Sequence, residues 1–180
     1  MTREQLEHII RACAQITGEY EFVIVGSQSV LGAKPNPRPE FTASMEADIY
    51  PLNAPDKSHD IDVHIGEGSP FQEEFGYYAQ GVDPSTAILP ADWLSRVHRV
   101  QNENTDGRVG YCLDLVDLFL SKAWAGRPKD RDFCMAMLLH AFVTAPQVLE
   151  LVATMPLSSQ EMARLRATIR RWTADSIGRA

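Results

Sequence analysis

Met45-Glu46-Ala47-Asp48-Ile49-Tyr50 decides the reading of this chain, together with a second acidic run, Asp60-Ile61-Asp62-Val63-His64-Ile65, and the apolar run Phe22-Val23-Ile24-Val25 that ends at Gly26-Ser27. Successive side chains of a strand point to opposite faces, so Met45, Ala47 and Ile49 can face a core while Glu46 and Asp48 share the other side. Read the same way, Ile61, Val63 and Ile65 line one face of a second strand, leaving Asp60, Asp62 and His64 on the other. If the two strands pair, several carboxylates converge on one patch of sheet, and a cation must relieve their repulsion. That is the logic of a two-metal centre for phosphoryl chemistry.

Upstream, Leu6, Ile9, Ile10, Cys13 and Ile16 recur at helical spacing, which predicts an amphipathic helix over about residues 3 to 17 ending near Gly18. A strand follows from Glu21 to Val25. Gly26-Ser27 then turns into one or two turns of helix, Gln28 to Gly32, with exposed amides at its start. Pro35, Pro37 and Pro39 make residues 33 to 40 a loop. The link between the acidic runs, with Pro51, Pro55 and Asp56, leaves no room for a crossover helix, so those strands are expected to be antiparallel neighbours. Residues 66 to 90 read as an irregular flank with one strand near Tyr77 to Val82. A further strand is expected from Arg96 to Gln101 and a turn from Asn102 to Gly107. The remainder is helical: Asp114 caps a helix to about Ala125, Arg131 to Val143 forms another, and Pro146 starts a third. The capping-box pattern Ser158-Ser159-Gln160-Glu161 opens a final helix, lined on one face by Met162, Leu165, Ile169 and Trp172. The expectation is an α+β fold in one domain, residues 1–180, with a small mixed sheet and N-terminal helix to about residue 105. A C-terminal helical bundle from about 112 to 180 completes the cleft.

Composition narrows the function classes. A chain of 180 residues, 44% hydrophobic and 23% charged, is ordinary for a globular domain able to bury a sizeable core. A net charge of −7 argues against binding nucleic acid or anionic membrane through overall charge. No apolar stretch reaches the roughly 18 residues of a membrane span, and Met1-Thr2-Arg3-Glu4-Gln5 carries no secretory pattern, so a cytoplasmic protein is expected. Cys13, Cys112 and Cys134 lie in apolar contexts without zinc spacing and read as reduced, buried thiols.

The order apolar strand, Gly-Ser turn, short helix, acid-x-acid strand, apolar-acid-apolar strand resembles the DNA polymerase beta-like nucleotidyltransferase superfamily. The residues that carry the likeness are Gly26-Ser27, Glu46-Ala47-Asp48 and Asp62 within Ile61-Asp62-Val63. More specifically, the chain resembles the small bacterial nucleotidyltransferase-like proteins related to the AbiEii toxins of toxin-antitoxin and phage-defence systems. Residues 65–71, 75–82 and the run from Asp117 to Phe133 add to that likeness, which spans most of Phe22 to Phe133. The resemblance implies transfer of a nucleotidyl group from a nucleoside triphosphate to a hydroxyl of RNA or protein, with Mg²⁺ or Mn²⁺ as cofactor and a cognate toxin or antitoxin as partner. Glu46, Asp48 and Asp62 would hold metal, Asp62 would also activate the acceptor, and Gly26, Ser27, Lys122, Arg127 and Lys129 would meet the phosphates. Asp130 and Asp132 could orient these cations. The sequence departs from the family in two places. Glu46 stands where Asp is usual, extending its reach by roughly 1 Å, and Ser44 stands where related toxins place Thr.

Several readings remain open on the sequence. The third carboxylate is Asp60, Asp62 or Glu67, and the Glu46 departure also suits a non-catalytic binding protein such as an antitoxin or regulatory subunit. Asp60, Asp62 and His64 could instead build a transition-metal site. Glu46 and Asp48 could be a solvated strand face, and Lys122 a lysine that snorkels to water. The aromatics between 71 and 78 suit core packing more than base stacking, and Arg164, Arg166, Arg170 and Arg171 a solvated helix face more than an RNA contact.

Overall fold

A computed structural model describes residues 1–178. The chain divides into two compact units, Met1–Ala87 with Arg96–Asp114, and Ile88–Ser95 with the chain from Leu115 onward. The first unit is α+β. Helix α1, Arg3–Thr17, opens with a capping box between Thr2 and Gln5 and stops at Gly18, which takes the left-handed conformation. Strand β1, Glu21–Ile24, leads through the Ser27–Ser29 turn into the short helices α2, Val30–Ala33, and α3, Pro39–Thr42. Strand β2, Glu46–Pro51, is followed by helices α4, Ser58–Ile65, and α5, Pro70–Phe75, and then by β3, Tyr78–Gly81, β4, His98–Val100, and β5, Val109–Cys112.

The sheet is mixed, in the order β3-β2-β1-β5-β4. β1 runs antiparallel to β2 and parallel to β5, β2 runs parallel to β3, and β4 pairs antiparallel with β5. One face of the sheet carries Phe22, Ile24, Ile49 and Gly110. The Leu6, Ile9, Ile10 and Cys13 stripe of α1 is fully buried, and each such aliphatic side chain stabilises the fold by roughly 1.5–3 kcal/mol. A Cβ on Gly110 would lie 2.5 Å from Ile10 Cδ1, and one on Gly32 would lie 2.3 Å from Cys112 Cβ. Glycine at these two places lets α1 and α2 sit directly on the strand. Glu7, also buried, ties α1 to the turn before β5 by accepting from Asn102 at 2.8 Å and Asn104 at 2.9 Å.

The expected loop at 33–40 and the irregular flank at 66–90 take in helices α3 and α5, and the second acidic strand does not form. The run Asp60 to Ile65 is not a strand but most of helix α4, and it lies between β2 and β3 rather than beside β2. Because β2 and β3 are parallel, the chain between them must cross over, and parallel crossovers are usually made by a helix. Ile61 and Ile65 are buried while Val63 is 59% exposed, which is helical rather than alternating periodicity. The Gly66 amide closes the last turn onto Asp62 O at 3.0 Å.

The second unit is helical: α6, Leu115–Ala125, α7, Pro128–Leu139, α8, Ala145–Leu151, and α9, Ser159–Ile177. Helix α7 begins three residues before the expected Arg131, with Pro128 in its first turn, where a missing amide costs nothing. The Ser158–Glu161 capping box opens α9 as the sequence predicts, and Leu165, Ile169 and Trp172 are buried along it. No helix among the described residues is long and apolar enough to cross a membrane.

Candidate active site

The β1–β2 ladder continues one step past its last paired residues, with the Val25 amide donating to Asp48 O at 2.9 Å. That bond draws the chain at Gly26 over the side chain of Asp48. Gly26 has φ +51° and ψ −170°, and a Cβ built on it would lie 1.8 Å from Asp48 Oδ2. Only a residue without a side chain admits the carboxylate here. The turn that follows is anchored from below, since Ser29 Oγ accepts from the Leu113 amide at 2.5 Å. Gln28 is 1% exposed, and neither its Nε2 nor its Oε1 has a hydrogen-bond partner. A buried carboxamide of that kind calls for a functional or solvent explanation, and the sequence offers no sign of it.

Asp48 is fixed between Ala47 and Ile49, both fully buried. Glu46 lies on the same strand face, and across the ladder its partner is Tyr78, as Asp48's is Gln80. The Tyr78 phenol leaves the sheet on the same side as Glu46. Burial first, and then the negative charges of Glu46, Glu67 and Asp48, hold that phenol above its ordinary pKa. Tyr77 turns the opposite way, into a cluster with His8, Phe71 and Phe75, where His8 Nδ1 and Tyr77 Oη are 2.6 Å apart. Burial, then Arg11, lowers the His8 pKa against the opposing charge of Glu74, so this imidazole is neutral at pH 7. Phe71, Phe75 and Tyr77 thus pack against one another and against His8, with Phe75 still 40% exposed.

The structure does not bring Asp62 to Glu46 and Asp48. A Cβ on Gly81 would meet Ser58 O at 1.9 Å and Ile61 Cβ at 3.3 Å, so α4 lies over the face to which residue 81 points. Gly81 pairs with Ile49, and Asp48 points from the other side. Asp62 Oδ1 accepts from the Gly81 amide at 2.9 Å, satisfying a donor on the outer edge of the edge strand. Asp60 sits in the first turn of α4, where its charge acts on Lys57. Of the three acids the sequence leaves open, Glu67 alone has its charge felt at Tyr78 together with Glu46 and Asp48. The alternative transition-metal face also dissolves, because Asp62 points away from Asp60 and His64 once the segment is helical. Among the described residues no three His, Cys, Asp or Glu side chains gather closely enough to hold a metal ion, so the expected three-carboxylate cluster is not assembled.

In the helical unit, Lys122 on α6 is buried, with Nζ 3.1 Å from Asp130 Oδ1 and 4.7 Å from the Phe133 ring centre. Arg127 donates to the same carboxylate, Nε to Oδ2 at 2.5 Å and Nη2 to Oδ1 at 3.3 Å. Burial alone would push the Asp130 carboxyl up, but Arg127 and Lys122 more than offset it and hold the group below the ordinary carboxylate value. Lys122 is thus half of a buried ion pair rather than a snorkelling lysine, and Asp130 orients both cations. Lys129 and Asp132 are exposed. The α9 arginines Arg164, Arg170 and Arg171 are exposed, while Arg166 donates to Leu149 O at 2.7 Å and fastens α9 to α8.

Neither a curated protein nor a solved structure matches the chain. A family model does, over residues 4–176, and its description is a nucleotidyltransferase of unknown function. That match embraces the Gly26 turn seated on the Asp48 carboxylate, the acid-x-acid strand and the helices that follow, so the chain belongs to the nucleotidyltransferase family of unknown function DUF6036.

Proposed function

We propose that this protein transfers a nucleotidyl group from a nucleoside triphosphate to a hydroxyl acceptor, RNA or protein, in a metal-dependent reaction that releases pyrophosphate. The observation that carries the reading is the seat of Asp48 against Gly26, where 1.8 Å separates the carboxylate from any Cβ. Two carboxylates of one strand face beside a bare stretch of backbone form a donor set that suits a hard divalent cation. Glu46 and Asp48 would hold it, magnesium or manganese. Once bound, such an ion neutralises triphosphate charge and lowers the pKa of the attacking hydroxyl.

The chain's own groups do the rest. Gly26 lets an anionic phosphate approach the main chain, and Ser27 adds a hydroxyl donor. Arg127, whose side chain is 60% exposed even while it holds Asp130, and Lys129 are the proposed phosphate-facing cations. Lys122 supports them by sharing Asp130, with direct phosphate contact as its second proposed role. Asp62 is occupied with Gly81, so the acceptor hydroxyl would lose its proton to Glu67. By resemblance to the AbiEii-related proteins, the setting is a cytoplasmic toxin-antitoxin or defence module with a cognate partner. The non-catalytic alternative, a nucleotide-binding antitoxin or regulatory subunit, draws on one observation, the failure of a third carboxylate to join Glu46 and Asp48.

Asp48→Asn tests the reading. It keeps the shape and removes the charge, so transfer of labelled nucleotide to cellular RNA and protein should be abolished. Apo stability should be unchanged or slightly raised, because like charges on one face repel. Wild-type transfer with any of the four nucleoside triphosphates establishes the enzyme. Binding without transfer establishes the alternative. A destabilised Asp48→Asn with an unchanged response to magnesium makes Asp48 structural and removes the main support.

A further inference from the structure

Helices α1, α4 and α5 of the first unit enclose a cleft of about 380 Å³, and a second cleft of about 590 Å³ opens between α1, the end of α5 and the turn at Asn104. His8 and Phe75 line both, so the two clefts share one aromatic wall. That wall is well fixed. The Phe71 and Phe75 ring centres are 4.8 Å apart, His8 meets Phe75 edge-on at 4.8 Å, and the 2.6 Å contact with Tyr77 pins the imidazole. Phe75 nevertheless keeps 40% of its surface in water. A preformed aromatic wall beside a space of this size is the ordinary make-up of a small-molecule site, since such sites span roughly 300–1,000 Å³. Both clefts are apart from the acid strand, because α1 and α4 pack on the sheet face that carries Ile49, away from Asp48.

The polar groups decide what fits. In the smaller cleft His64 Nδ1 lies 2.8 Å from Asp60 O, a carbonyl that can only accept, so Nδ1 donates and the neutral ring keeps its lone pair on Nε2. Glu74 adds a carboxylate, and Gln15 a carboxamide that serves either way. Among the described residues Glu74 is in no ion pair. In the larger cleft Glu4 supplies another carboxylate, while Arg11 already donates to Asn104 O. Acceptors beside an exposed ring face suit an organic cation, whose charge is drawn both to a carboxylate and to the ring. An anion meets repulsion there.

We propose that the clefts beside Phe75 form a second ligand site, separate from Glu46 and Asp48, for a small organic ammonium compound with an apolar body: Glu74 takes the charge, and Phe71 and Phe75 take the body. This holds whether or not the chain transfers nucleotides.

The test is saturation-transfer NMR on the full chain at pH 8, where a primary amine is charged and an ordinary imidazole is not. The probe is 2-phenylethylammonium, with 2-phenylethanol and phenylacetate as its neutral and anionic counterparts, and urea unfolding of each variant is the control for folding. The ammonium should bind wild type with a Kd on the order of 1 mM, as expected of so small a ligand. The alcohol should bind about tenfold more weakly, the worth of one charge-assisted contact, and phenylacetate should not bind. Glu74→Gln should weaken the ammonium about tenfold and leave the alcohol unchanged, whereas Phe75→Ala should weaken both. Glu73→Gln alters an exposed neighbour on α5 that lines neither cleft, and should change affinity less than about twofold. Asp48→Asn should bind the probe as wild type does. Equal binding of all three probes overturns the proposal, as does no binding of the ammonium to the folded wild type. Equal losses in Glu73→Gln and Glu74→Gln overturn it too, since the attraction would then belong to the surface charge in general. Loss of the probe in Asp48→Asn would move it to the acid strand, with the same result.

Discussion

Gly26 and Gly18 both adopt positive φ, at +51° and +72°, yet their surroundings differ. A Cβ at Gly18 meets nothing within 4 Å, whereas one at Gly26 lands on the Asp48 carboxylate. Substituting alanine therefore separates backbone strain from a steric role. Gly18→Ala should cost roughly 1–2 kcal/mol, the penalty of a left-handed L-residue. Gly26→Ala should cost about 1–3 kcal/mol for a backbone region nearly confined to glycine, and it must in addition drive the carboxylate aside. Urea unfolding should show both variants destabilised, while Mn²⁺ titration shows a loss only in Gly26→Ala. Retained binding in a folded Gly26→Ala protein would make the turn a connector. At this scale the sequence was informative about neighbours along the chain and weak about neighbours across it. Gly26-Ser27 and Glu46-x-Asp48 were legible because each is a local pattern with its own physical purpose. Tyr78 was not, because its place across from Glu46 depends on a strand pairing that no local pattern specifies.

Helix α4 shows why one element was misread. In Ile61-x-Val63-x-Ile65 a strand places all three apolar residues on one face, while a helix places the first and last together and turns the middle one out. The two patterns share positions i and i+4, and only residue i+2 separates them. Val63 is apolar yet exposed, so the sequence pointed to the strand. The same ambiguity did not affect β2, where Glu46 and Asp48 alternate with buried Ala47 and Ile49, nor α1, whose stripe is long enough to exclude a period of two. The prediction is a pair of substitutions. Ile61→Asp buries a charge and should cost more than about 3 kcal/mol, whereas Val63→Asp should fall within about 0.5 kcal/mol of wild type, as an exposed change does. Denaturant midpoints decide it, and a Val63→Asp protein as unstable as Ile61→Asp would restore the strand. Once the segment is helical, Asp62 belongs to the crossover and serves the β3 edge, so a misread element carried a misassigned carboxylate with it.

For the molecule as a whole, the three cysteines report on the two cores. Cys13 on α1 and Cys112 on β5 are fully buried in the first unit, on the face of the sheet that the helices cover. Cys134 is buried in the helical unit, its thiol directed to Phe119 O at 3.6 Å. Burial pushes the Cys112 thiol up to about 12 and raises Cys13 and Cys134 as well. The thiolate is the reacting species, so a native thiol with its pKa raised this far labels only when its core opens. For a domain of ordinary stability that protection is on the order of a thousandfold or more. Because α1 rests on β5 through the Ile10–Gly110 contact, lifting the helix uncovers the strand, and Cys13 and Cys112 should label with one common rate. Cys134 should follow the opening of the helical unit at a rate of its own. Pulse labelling at pH 8 with a maleimide, read by peptide mass spectrometry, measures all three at once. Labelling of Cys13 well ahead of Cys112 would mean that α1 detaches by itself, and the layer of Leu6, Ile9 and Ile10 beneath the sheet would then not be the element that holds the Gly26 turn and the acid strand in register.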